Sequence, residues 1–186
     1  MIPERALATT LLETWVSSES LRRHCRAVAT AMEVYAVFFN ENLDSWWVCG
    51  LLHDFDYEKH PTLQQHPTEG VKILKEEGYS EEIIQAILSH GDHTGVPRQS
   101  KMARALFAVD ELCGLLVALA KVRADNFETM DANSVEKTLK KKGFAAEINR
   151  NDIEKGIQEL EVDRKEHFER VITALKAHKV ELGFAP

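Results

Sequence analysis

Apolar residues recur along this chain at spacings of three and four, and no stretch alternates as a half-buried strand does. The pattern predicts helices throughout. A short helix is expected over 5–16, then a long one from about Ser20 to Phe39, in which Leu21, His24, Val28, Ala31 and Tyr35 share a stripe. Ser17, Ser18 and Ser20 are its candidate caps. Asp44 or Ser45 can cap the next helix, which runs to His53-Asp54. Pro67 suits the first turn of a helix over 67–77 that stops at Gly78, and Ser80 can cap another that ends near His90. Residues 55–66 and 92–100 read as loops, the second carrying Gly95 and Pro97. A strong helix follows over 101–120, and then helices over 134–141, 151–160 and 163–179; Asp163 and Glu166 open the last as a capping box. With no repeat and no linker, the expectation is one all-α domain over 1–186, a helical bundle with a helical C-terminal extension.

The run Trp46 to Leu52 is apolar on every side, so its helix should be buried all round, and it ends in His53-Asp54. Burying an imidazole and a carboxylate is costly unless something pairs with them, and a metal ion is the strongest such partner. His24, His66, His90 and Asp110 also lie on apolar segments. His90 follows Ile83 and Ile87 at seven and three residues, and Asp110 follows Ala103, Leu106 and Phe107 at seven, four and three. One buried histidine is more often a hydrogen-bonded core residue. An ordered series points to a metal site built from several helices. His53 and Asp54 diverge by about 100° on a helix. They can share one metal only at a helix end or distortion; otherwise the carboxylate bridges two metals. Imidazole and carboxylate without thiolate suit one or two divalent ions such as Fe, Mn, Ni, Co or Zn, with Mg also open, and argue against a closed structural zinc site.

Composition narrows the field further. A formal net charge of −7 disfavours non-specific binding to nucleic acid or an anionic membrane, so neither is expected as a partner. Cys25, Cys49 and Cys113 lie within apolar helices without CxxC spacing and read as reduced core residues. No uncharged apolar stretch approaches ~18 residues, and a soluble, cytoplasmic protein is expected, with homo-oligomers allowed. Neither a nucleophilic Ser or Cys constellation nor a GxxxxGK phosphate loop occurs, which disfavours kinase or GTPase chemistry.

The order His24, His53-Asp54, Asp110 resembles the H…HD…D signature of the HD-domain superfamily of metal-dependent phosphohydrolases, and Leu51-Leu52-His53-Asp54 looks like that superfamily's usual helix end. His66-Pro67-Thr68-Glu69-Gly70 is similar to the HPxxG element of its two-metal members, and Ile87-Leu88-Ser89-His90 and Ala108-Val109-Asp110 resemble the helices carrying its later ligands. The resemblance spans about residues 20–120. It implies that His24, His53, Asp54 and Asp110 hold a first metal and that His66 and His90 complete a second bridged by Asp54. In the subgroup with a His-His pair, the second position is Gly91 here.

The function so implied is hydrolysis of a small phosphorylated substrate, with a nucleotide foremost, by metal-bound hydroxide attacking phosphorus. Asp54, His93 and Arg98 are the candidate catalytic residues, and Lys59, His93 and Arg98 the candidate substrate contacts, because the loops after the HD pair and after His90 carry them. Glu111 is a candidate support for the ligand beside it, with an exposed helix face as the bland reading. Two alternatives use the same ligands: a di-iron oxygenase of the superfamily, and a non-catalytic nucleotide-sensing module.

Overall fold

Most of the helices begin where a side chain accepts a hydrogen bond from a free amide of the first turn. In the computed structural model, which describes residues 4–185, Ser18 does this for α2 (Glu19–Phe39), following α1 (Arg5–Trp15). Asn42 caps α3 (Leu43–Leu52) by accepting from Ser45 N at 2.8 Å, so Asp44 and Ser45 are not the caps. The Asp44 carboxylate is instead taken by Arg5 Nε at 2.6 Å. After α4 (Thr68–Glu76), Gly78 turns the chain with φ 79°, and Ser80 caps α5 (Glu81–Ser89). A short 3-10 turn at Asp92–Thr94 lies in the loop before α6 (Lys101–Val122), which Ser100 caps. Asp131 starts α7 (Ala132–Leu139) two residues before the expected Ser134. Then come α8 (Arg150–Leu160) and α9 (Arg164–Ala177), the latter capped by Asp163. No strand occurs among the described residues; residues 1–3 and 186, at the ends of the expected domain, lie outside them.

Helices α2 and α6 pack against each other at the centre, and both are buried along much of their length. Two glycines let other helices come close to them. A Cβ on Gly50 would lie 2.8 Å from Ala29 Cα, so α3 crosses α2 backbone to backbone. A Cβ on Gly156 would lie 2.6 Å from Ala108 Cα, which seats α8 on α6 in the same way. Helix α5 packs on α6 and α3, and α4 on α5.

Helix α9 joins the centre through a buried histidine. Tyr35 of α2 donates its hydroxyl to His167 Nδ1 at 2.5 Å, and His167 Nε2–H donates to the Ala108 carbonyl of α6 at 3.1 Å. Burial holds the His167 pKa down to about 4, only partly offset by that carbonyl, so the ring is neutral. All three cysteines are buried and free, and burial pushes the Cys25 and Cys49 thiols up to about 12. No helix among the described residues is long and apolar enough to cross a membrane.

Candidate metal centre

His53 and His90 occupy the same structural position on different helices. Each is the residue that ends its helix, α3 and α5, and each donates Nδ1–H to the carbonyl three residues back, Gly50 O at 2.8 Å and Ile87 O at 2.6 Å. The bond satisfies a helix-end carbonyl and fixes the tautomer, leaving Nε2 to point away from the helix. Because α3 stops at Leu52, His53 and Asp54 escape the divergence that a continuing helix would impose.

Asp54 sits between two groups. Its Oδ2 lies 3.4 Å from His53 Nε2 and 3.7 Å from His24 Nε2, while Asp110 Oδ1 lies 3.0 Å from His24 Nε2 and 3.4 Å from His53 Nε2. The other Asp54 oxygen, Oδ1, lies 3.2 Å from His66 Nε2 and 3.3 Å from His90 Nε2. Both groups could hold a metal ion, and the structure thus brings His24, His53, Asp54, His66, His90 and Asp110 together around one carboxylate.

The donor chemistry fits cations. His66 Nδ1–H donates to Asp56 Oδ1 at 2.7 Å, so its Nε2 and that of His90, 3.2 Å apart, would face each other as lone pairs in the neutral rings. A positive charge between them removes that conflict. Burial lowers the His66 pKa, but the hydrogen bonds to Asp54 and Asp56 outweigh it and raise the group to about 9. His53, fully buried, is likewise driven up against its burial by Asp54 and Asp110. The carboxylates therefore demand positive charge, which protons or metal ions can meet.

Sequence reasoning missed Asp56, which is 1% exposed. It accepts from both His66 Nδ1 and Gly70 N, the latter at 2.8 Å, and so orients a ligand. The signal was a carboxylate two residues after Asp54 in a segment read only as loop.

Above the groups opens a cavity of about 630 Å³. His93 lines it, held by donating Nε2–H to His66 O at 2.8 Å. Glu111, Glu147, Asn149 and Asp152 form its far wall. Burial and the neighbouring Asp110 push the Glu111 carboxyl up to about 7, against the bond it accepts from Asn149 N. The structure does not bring Arg98 or Lys59 there. The Arg98 guanidinium is 6% exposed, holds Glu159 through Nε at 2.5 Å and Nη2 at 2.9 Å, donates to Ser89 O at 2.7 Å and lies over the Phe107 ring. Lys59 is exposed, with Nζ 3.9 Å above the Trp15 ring. Among the described residues, no lysine or arginine lines this cavity.

A helical bundle with two His/Asp groups at its centre defines a candidate metal-binding protein. The HD domain family model matches residues 21–130, and the chain belongs to that family. HD domains bind divalent metals and are typical of metal-dependent phosphohydrolases. No curated protein and no solved structure matches the chain significantly.

Proposed function

We propose that this chain is a metal-dependent hydrolase of a small phosphorylated compound, a nucleotide being the leading case. One observation carries the reading: the two oxygens of Asp54 face two separate histidine groups beneath an open cavity. His24, His53, Asp110 and Asp54 Oδ2 would hold one ion, and Asp54 Oδ1, His66 and His90 the other. When bound, such ions lower the pKa of a coordinated water and offset negative charge on phosphoryl oxygens. His93 is fixed at the cavity by donating Nε2–H to His66 O, which leaves its Nδ1 as an acceptor for a hydroxyl group. Arg98 supports the site from outside, tying the loop after His90 to α8 through Glu159.

The test is phosphate release from a broad panel of phosphate esters by metal-loaded protein, lost in Asp54→Ala. If protein shown to be loaded releases none with Mn, Fe, Co, Ni or Mg, the hydrolase reading fails. An oxygenase is the second reading, favoured by the lack of cationic side chains around the cavity. Aerobic substrate loss without phosphate release from di-iron protein would select it.

A further inference from the structure

The cavity over the metal centre adjoins a second hollow of about 550 Å³, and the two share His24, Gly114, Glu147 and Ile148. The second hollow runs along α6 beneath residues 143–148 and is walled by Val117, Ala118, Phe144 and Ile148. Asp110, Gly114, Val117 and Lys121 stand on one stripe of α6, at offsets of four, seven and eleven. Lys121 therefore lies about 16 Å along the helix from the ligand Asp110. Gly114 governs the passage between the hollows: a Cβ there would sit 2.8 Å from Ile148 Cδ1. Glycine is a poor residue for a helix interior, and here it leaves room for Ile148 at the neck.

Charge around the first hollow sets a second limit. Glu111, Glu147 and Asp152 face it with no lysine or arginine in its wall. Asp92, also in the wall, is already paired with Arg98 and Lys155. Burial and the charge of Asp92 hold the Asp152 carboxyl above its usual range, as a negative field does. Two divalent ions against Asp54 and Asp110 leave positive charge at the floor for one phosphoryl group. A second or third phosphate would lie against carboxylates.

We propose that the substrate is a phosphate monoester with a single phosphoryl group, whose apolar or aromatic organic part lies in the groove along α6. A nucleoside monophosphate belongs to this class; nucleoside di- and triphosphates do not. The inference rests on the hydrolase reading and narrows it. Water adds to phosphorus, the bond from phosphorus to the ester oxygen breaks, and the alcohol leaves with a proton from that water beside inorganic phosphate. Glu147, at the junction of the hollows, accepts hydroxyl groups of the organic part.

Three substrates separate the outcomes: an aryl or nucleoside monophosphate, methyl phosphate and a nucleoside triphosphate. The first should exceed each of the others in kcat/KM by roughly tenfold or more. Gly114→Val, which pushes Ile148 into the groove, should lower the aryl-to-methyl ratio by about tenfold, and Phe144→Ala should lower it in the same direction. Binding gives an independent reading. Benzyl phosphonate added to zinc-loaded, methyl-labelled protein should shift the Ile148 and Val117 resonances, and methyl phosphonate should not. A triphosphate turned over as well as the monoester, or Ile148 and Val117 unmoved by saturating benzyl phosphonate, overturns the proposal and leaves hydrolysis standing. Absence of phosphate release from all three and from the wider ester panel removes the hydrolase reading itself, and this substrate with it.

Discussion

Gly70 lies directly against Asp56: its amide donates to Oδ2 at 2.8 Å, and a Cβ on it would sit 2.7 Å from Asp56 Cγ. The glycine of His66-Pro67-Thr68-Glu69-Gly70 thus makes room for the carboxylate that orients the histidine of the same segment. Gly70→Ala should displace Asp56 and loosen His66, weakening the metal held by His66 and His90 by roughly 10–100-fold. Metal titration would show this as the loss of one of two binding events. Two unchanged events would mean that the contact has no bearing on metal.

The sharing of Asp54 predicts a stoichiometry. The parent should hold two ions per chain and His66→Ala one, with the His24, His53 and Asp110 group still filled. Asp54→Ala should lose both and melt at lower temperature, since bound metal contributes folding free energy. Elemental analysis of the three proteins reads this directly, and one ion in both parent and His66→Ala would reduce the centre to a single site.

Arg98→Ala should act on stability. Removing a guanidinium that is 6% exposed leaves Glu159 without its bidentate partner and Ser89 O without a donor. A loss of roughly 2–3 kcal/mol is expected, below the range for fully buried pairs because Glu159 is 30% exposed. Denaturant unfolding measures it, and metal content should stay at the parent level. An unchanged midpoint with reduced turnover would return Arg98 to a direct role in the reaction.

His167 makes stability depend on pH. Its pKa is about 4 in the folded chain against 6.5 for a free histidine, so the unfolded chain binds more protons between those values. The contribution of this ring is full above about pH 6.5 and falls as pH drops toward 4, by about 3 kcal/mol at the limit. The comparison protein is His167→Gln, which has no group titrating there. Over pH 6.5 to 4 the parent should lose stability faster than this variant; parallel curves would mean that the buried ring is not the source.

Periodicity was enough to place His24 and Asp110 on the inward side of their helices, though both are half-buried at the cavity and not enclosed in the core. The end of α3 was also legible, since the apolar run stops where the polar pair begins. Arg98 was misplaced by proximity along the chain: it follows His90 by eight residues, but Glu159, 61 residues further on, decides where its guanidinium goes. Caps are similarly local contests: Asn42 takes the start of α3, while Asp44, already inside the first turn, is held by Arg5 of another helix. Glu147, Asn149 and Asp152 could not be read as cavity residues, because they lie outside the ligand pattern and only the packing of α8 on α6 brings them over it.

That last placement separates two tasks along the chain. Every residue of the two His/Asp groups lies within the stretch matched by the family, whereas the wall of Glu147, Ile148, Asn149 and Asp152 comes from beyond residue 130. Gly156 and His167 fasten that later stretch to Ala108, two residues before the ligand Asp110. The ligand groups are in this way written in one segment, and the cavity wall is shared between that segment and the later one. A change confined to the later stretch can reshape one side of the cavity while every candidate ligand stays where it is.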